Sequence, residues 1–227
     1  MKVVISGYGR MGHMIERVLN EMNIECVGKS EDITGFDPEM ASQSVCIDFT
    51  VPDAFRANYA WIASHFKAAV VGTTGWYDIK DDVFECFRSE GTPMIWASNF
   101  SLGVNVLSMA VELVSKLLKP TGLYQPYIVE KHHIHKLDAP SGTAKTLALS
   151  VERELGVSPA IQSVRAGEIP GIHTVVFEGP GDRITLEHEA FNRMGLAQGA
   201  VQAALMTEGL TGVHEFRSLL LKSKGDE

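Results

Sequence analysis

Residues 130–147 read EKHHIHKLDAPSGTAKTL, and within these eighteen positions stand His132, His133, His135, Lys136, two acids and a Pro-Ser-Gly turn. Three kinds of chemistry can use such a set. A metal centre needs three or four ligands converging on one point. His132 and His133 are neighbours on an expected strand and so point to opposite faces. His133 and His135 share a face, but no Cys, His or acid nearby completes a ligand signature, and no metal is expected. An anion is better supplied. Ser141 and Thr143 bring hydroxyls, the chain turns into a helix there, and the first N–H groups of a helix favour a carboxylate, with Lys136 and the histidines adding positive charge. Proton transfer is the third use, because histidine titrates near neutral pH. A capped helix beside a polar loop would account for Ser141 and Gly142, but not for the density of titratable groups.

A second group lies at the N-terminus. ISGYGRMG sets Gly7, Gly9 and Gly12 as G-x-G-x-x-G after an apolar run and before a helical repeat. There the glycines permit a tight turn and close backbone approach, and the helix N-terminus offers N–H groups to a pyrophosphate. The residue after the second strand normally reads the ribose, acids accepting from its 2′-hydroxyl and bases pairing with a 2′-phosphate. VGKSED supplies Lys29 and Glu31, which leaves NADH and NADPH both open. VVGTTGW (Gly72, Thr73, Thr74) and WASNFSLGVN (Ala97, Ser98, Asn99, Phe100) follow two further strands at the edge where ligands bind in open α/β sheets.

The elements that must position these groups follow from periodicity. KVVIS, IECVG, SVCIDF, KAAVVG and PMIWAS are short apolar runs suited to strands buried on both faces. MGHMIERVLNEM, PDAFRANYAWIASHF and DIKDDVFECFRSE lie between them with helical spacing, which implies right-handed crossovers and a Rossmann-like, doubly wound parallel sheet. After Asn99 the pattern changes. A helix is expected from Val104 to Leu118, a strand over QPYIVEKHHIH and a helix from Ser141. SVRAGEI, HTVVFEG and DRITLEHEA then suggest an antiparallel meander. GLAQGAVQAALMTEGL reads as a small-residue-rich helix, and VHEFRSLLL closes the chain. The expected organisation is α/β: a dinucleotide-binding domain over 1–100, to which 211–227 returns, and an α+β substrate-binding and oligomerisation domain over 101–210.

Bulk properties exclude several classes. The 227 residues are 45% hydrophobic and 21% charged, as in soluble globular proteins, and the formal charge of -8 opposes general affinity for nucleic acid or an acidic membrane. No apolar run reaches the length of a bilayer span, MKVVISGYG lacks the pattern of a signal peptide, and Cys26, Cys46 and Cys86 read as reduced, buried thiols. A cytoplasmic location is expected.

EKHHIHKLDAPSGTA resembles, without gaps, the signature E-x-H-H-x-x-K-x-D-x-P-S-G-T-A of the dihydrodipicolinate reductase family. GYGRMG, CIDFTVPDA, VVGTTGW, SNFSLGVNV and RAGEIPGIHTVVFEGPGDRITLEHEAFNR also stand in family order, so the resemblance covers nearly the whole chain. It departs in the glycine loop, one residue shorter than the family's G-x-x-G-R-M-G, and in a short segment between the second and third strands. The resemblance implies NAD(P)H-dependent reduction of 4-hydroxy-tetrahydrodipicolinate to tetrahydrodipicolinate with loss of water, in lysine and diaminopimelate biosynthesis. It implies His132 as general acid/base, Lys136 as proton donor, and His133, Gly142 and Thr143 on the substrate dicarboxylate with Lys136 and Ser141 close by. On the nucleotide side it implies Gly7, Tyr8, Gly9, Arg10 and Met11 at the pyrophosphate and Glu31 at the ribose. Gly72, Thr73 and Thr74 would lie at the nicotinamide ribose or ring, and Ala97, Ser98, Asn99 and Phe100 at the carboxamide. A homotetramer built through the substrate-domain sheet is implied as well. Another two-domain NAD(P)-dependent dehydrogenase of amino-acid metabolism would share the glycine loop but would not call for the histidine segment.

Overall fold

The computed structural model describes residues 1–221. Along the chain run β1 (Lys2–Ser6), α1 (Arg10–Glu21), β2 (Glu25–Ser30), α2 (Pro38–Ser42), β3 (Ser44–Asp48), α3 (Pro52–His65), β4 (Ala68–Val71), α4 (Lys80–Glu90) and β5 (Met94–Trp96). Then come α5 (Leu102–Leu118), β6 (Gln125–His132), α6 (Gly142–Leu155), β7 (Ala160–Arg165), β8 (Ile172–Glu178) and β9 (Arg183–Glu189), and finally α7 (Met194–Met206), β10 (Val213–Glu215) and α8 (Phe216–Leu220). No helix of the described residues is long and apolar enough to cross a membrane.

The described residues form two compact units, one of Met1–Ser101 together with the described residues from Leu196 onward, and one of Leu102–Gly195. The return to the first unit, expected at 211, therefore begins at Leu196. The small residues of α7 explain the difference: a Cβ on Gly199 would lie 1.7 Å from the Phe100 carbonyl oxygen, so only glycine allows α7 to sit against that backbone.

The first unit is a parallel six-stranded sheet ordered β10-β5-β4-β3-β1-β2. β3 and β4 are buried at every position, as apolar strands covered on both faces must be. Helix α1 buries Ile15, Val18 and Leu19, a stripe at helical spacing. Phe55, Trp76 and Phe87 are fully buried in the main core, each stabilising by about 1.5–3 kcal/mol relative to exposure. The order reverses direction between β1 and β3, and the C-terminal ends of those two strands form the switch point at which such sheets bind ligands. β10, parallel to β5, extends the sheet from the far end of the chain, which local pattern did not announce. Cys46 is buried, whereas Cys26 and Cys86 are half-buried; all three are free thiols.

The second unit is a four-stranded sheet ordered β7-β6-β8-β9. The expected antiparallel meander is corrected: β7 pairs parallel with β6, while β8 is antiparallel to β6 on its other edge and β9 antiparallel to β8. Helix α6 between β6 and β7 makes a crossover, and crossovers return the chain parallel. Leu107 and Val111 of α5 and Leu147, Val151 and Leu155 of α6 pack on Ile128, Val175 and Phe177. Along β6 burial alternates, so Pro126, Ile128, Glu130 and His132 form one buried row. The core row thus ends in two titratable side chains.

Candidate active site

β6 ends at His132, so His133 and His135 lie in the turn that follows and not on the expected strand face. Glu130 is fully buried and His132 nearly so. Being two residues apart on a strand, they share a side, and a Glu130 carboxylate oxygen meets His132 Nδ1. The other carboxylate oxygen accepts from Arg165 Nη2 at 2.7 Å. Burial pushes the Glu130 carboxyl up, but hydrogen bonds from Arg165, Ser163 and His132 outweigh it and hold the group down at about 2. An ionised carboxylate only accepts. Nδ1 of His132 therefore carries the hydrogen and Nε2 is the nitrogen left for a reactant. It faces Gly171, where an added Cβ would lie 3.1 Å away. Burial lowers the His132 pKa, Glu130 opposes the shift, and the charges of Lys136 and Arg165 add to it.

His173 of β8 stands edge-on to His132 with ring centroids 5.1 Å apart. Its Nε2 lies 3.1 Å from Ser141 Oγ, which also caps α6 by accepting from the Ala144 N–H at 3.2 Å. Burial lowers the His173 pKa to about 4, so the ring is neutral at physiological pH. Ser141 follows a cis Ala139–Pro140 bond. Gly142 opens α6, and a Cβ there would meet nothing within 4 Å. The N-terminus of α6 is therefore open beside Gly142, as an anion site requires, and Thr143 is its second helical residue. Lys136 donates to Asp138 Oδ1 at 2.7 Å, which holds the Asp138 carboxyl below its usual range. His133 keeps a buried Nδ1 with no hydrogen-bond partner, while exposed His135 pairs with Glu168 at 3.2 Å. His132, Lys136, Ser141, Gly142 and Thr143 thus share one end of this unit.

Glu130, His132 and His173 bring ligand-type atoms within 4.8 Å of one another, a grouping built on His132 and not on the His133–His135 face weighed from the sequence. The Glu130 oxygens are already committed to His132 and to the Arg165 cation. That pattern suits a hydrogen-bonded relay better than a cation site.

In the first unit, Gly7 adopts φ +86, and a Cβ there would lie 2.7 Å from the Phe49 carbonyl oxygen. A Cβ on Gly12 would lie 2.5 Å from the Gly7 carbonyl oxygen, whereas Gly9 meets nothing within 4 Å. The loop is thus packed tightly from behind and open at Gly9, the N-cap of α1, which has no side-chain cap. This cradle fits a dinucleotide pyrophosphate. Arg10 is exposed and Met11 half-buried. Glu31 accepts from the Tyr8 N–H at 2.8 Å, so the acid expected at the ribose stands at the loop. Lys29 is tied to Glu16 at 2.7 Å and lies 4.9 Å from the Tyr8 ring centroid.

Thr73 and Phe100 point inward rather than outward. Buried Asp48, whose carboxyl is raised by burial, accepts from Ser6 at 2.7 Å and from Thr73 at 2.5 Å, and Thr73 Oγ1 accepts from the Thr50 N–H at 2.7 Å. Thr73 ties two loops together through its hydroxyl. Phe100 packs against Phe49 and Phe216, and Ala97 is buried. Thr74 and Ser98 are exposed, Gly72 and Asn99 half-buried. Gly72 lies against the Phe49 ring, 2.2 Å from an added Cβ.

Sequence reasoning missed Glu130, Arg165, His173, Asp48 and Phe49. The two-residue step from Glu130 to His132 was a usable signal. Arg165 and His173 lie 33 or more residues beyond His132 in sequence and join it only through sheet pairing.

The family model described as dihydrodipicolinate reductase, N-terminus, matches residues 1–100, and the one described as dihydrodipicolinate reductase, C-terminus, matches residues 103–220. A 4-hydroxy-tetrahydrodipicolinate reductase of Christiangramia forsetii is 36% identical over 234 aligned residues, covering 97% of this chain and 98% of that protein. One from Stenotrophomonas maltophilia is 41% identical, covering 81% of this chain and 75% of its own. Among solved structures, a dipicolinate-bound dihydrodipicolinate reductase from Paenisporosarcina sp. TG-14 has a TM-score of 0.80 at 21% identity, covering 95% of this chain and 97% of that one. An aspartate semialdehyde dehydrogenase from Vibrio cholerae has a TM-score of 0.57 at 14% identity, a likeness of fold alone. With both halves matched by the two models and full-length relatives above 30% identity, the chain belongs to the dihydrodipicolinate reductase family of oxidoreductases.

Proposed function

We propose that this protein catalyses the NAD(P)H-dependent reduction of 4-hydroxy-tetrahydrodipicolinate to tetrahydrodipicolinate with loss of water. The observation that carries the reading is the Glu130–His132 pair, with Nε2 left for a reactant, in the same unit as the open N-terminus of α6. A dinucleotide, when bound, supplies the hydride. The chain's own residues do the rest. His132 gives and takes the proton at Nε2, and Lys136 supplies a second proton and positive charge. Ser141, Gly142 and Thr143 hold a carboxylate with N–H groups, hydroxyls and the helix dipole, and His133 holds the other. Gly7, Tyr8, Gly9, Arg10 and Met11 receive the pyrophosphate and Glu31 the ribose. Gly72, Thr74, Ser98 and Asn99 line the nicotinamide end through backbone and side-chain groups, over Thr73, Ala97 and Phe100. The enzyme is proposed to work as a cytoplasmic homotetramer using either cofactor. The test generates the substrate in situ from aspartate semialdehyde and pyruvate with the condensing enzyme and follows NADH and NADPH oxidation by the loss of reduced-nicotinamide absorbance. Turnover with at least one cofactor is expected, and none with either would overturn the reading.

A further inference from the structure

β6 and β7 pair in parallel with His132 opposite Arg165, which sets a guanidinium beside the end of the buried row. Arg165 Nη2 donates to Glu130 at 2.7 Å and to the Asp138 carbonyl oxygen at 2.6 Å. Asp138 in turn holds Lys136 through its carboxylate at 2.7 Å. One cation therefore braces both groups assigned to proton transfer, His132 through the Glu130 side chain and Lys136 through the Asp138 segment. Stability alone explains this poorly. A buried ion pair seldom stabilises more than packed apolar residues, and the preceding inward position of β6 is Ile128.

We propose that Glu130 and Arg165 are a positioning pair that fixes His132 with Nδ1–H bound and Nε2 presented to the substrate. The inference rests on His132 being the acid/base. The groups facing His132 are Glu130 on its own strand, Arg165 from β7, Lys136 from the loop after β6 and His173 from β8. Glu130 is the one anion among these four. Its removal leaves burial and two cations acting on the imidazole in the same direction, and frees the ring to take the other tautomer.

The test compares wild type, Glu130→Gln, Arg165→Lys, Arg165→Gln and His132→Ala, plus Glu130→Gln in the His132→Ala background, all as the full chain. Glu130→Gln is expected to lower kcat by about 10- to 100-fold, within the range that acid/base positioning commands, with KM changed by less than about threefold. The limb of the kcat–pH profile belonging to His132 moves to lower pH. Arg165→Lys retains more activity than Arg165→Gln. In the His132→Ala background Glu130→Gln has no further effect, because residues acting as one unit are not additive. An equal loss in both backgrounds, or full kcat with an unmoved limb, overturns the inference alone. Near-full activity of His132→Ala overturns it together with the assignment on which it rests. Should Glu130→Gln not fold, the imidazole 15N shifts of His132 in the wild type decide: protonated Nδ1 and bare Nε2 at neutral pH are expected, and the reverse tautomer overturns the proposal.

Discussion

His132 and Lys136 are the residues proposed to move protons, and His135 is not among them. His132→Ala and Lys136→Ala should each reduce kcat by about 10² to 10⁴, the span of positioned acid/base groups, with folding and nucleotide binding retained. Lys136→Ala should also raise KM, since its ammonium is proposed to add positive charge beside the substrate, while steady-state kinetics of His135→Ala should show little change. Treatment with a chelator should leave activity intact; inactivation restored by added zinc would point to a metal on Glu130, His132 and His173 instead. Where the ribose is proposed to bind, Glu31 stands on the Tyr8 N–H and Lys29 is occupied by Glu16. Both cofactors are expected to work within about tenfold, equivalent to about 1.4 kcal/mol. Glu16→Gln would release Lys29 and shift the kcat/KM ratio toward NADPH by roughly 3- to 10-fold, as a freed cation near a phosphate allows. An unchanged ratio would place Lys29 away from the ribose.

Two helix N-termini are proposed to do the anion binding, and each depends on small residues. Ser141 both caps α6 and meets His173, so Ser141→Ala should cost about 1 kcal/mol of stability from the lost cap and raise substrate KM. Gly142→Leu should fill the open space before α6 and raise substrate KM while leaving NAD(P)H affinity unchanged. Gly12→Ala should do the reverse, because its Cβ would meet the Gly7 carbonyl oxygen at 2.5 Å and the glycine loop would have to move. Titration calorimetry with each ligand separates the two. Equal loss of both affinities in either variant would contradict the assignment of one ligand to each unit.

Across the whole molecule, buried titratable groups set the response to acid. The folded-state pKa of His173 is depressed from 6.5 to about 4 by burial. Below pH 6.5 the unfolded chain takes up the proton and the folded chain does not, so stability falls as pH drops from about 6.5 to about 4. Glu130, depressed from 4.5 to about 2, adds a second loss over that lower window. Each is worth on the order of 3 kcal/mol when fully lost. Thermal unfolding between pH 8 and pH 4 should show Tm falling, and His173→Phe should flatten the upper part of the fall. A Tm independent of pH from 7 to 5 in the wild type would show that His173 is not buried neutral in the folded protein.

Local pattern alone determined the parallel first sheet, because apolar runs alternating with helical repeats leave little other way to cover both strand faces. It also placed the helix start at Ser141, through a capping residue and the turn before it, and it singled out the histidine segment by residue type. The resemblance then supplied roles for His132 and Lys136. Tertiary structure decided what lies beyond local range. β7 lies parallel beside β6 and not in a meander, since strand partners are chosen by crossover geometry that a turn signal does not encode. That pairing brings Arg165 to Glu130 across 35 positions of sequence, and β8 brings His173 to Ser141 across 32. The burial that turns Glu130, His132 and His173 into a coupled set exists only once β6, β7 and β8 are side by side. The hand-over of α7 to the first unit likewise depends on the Gly199–Phe100 approach, a fit between residues nearly a hundred positions apart in sequence that composition does not record.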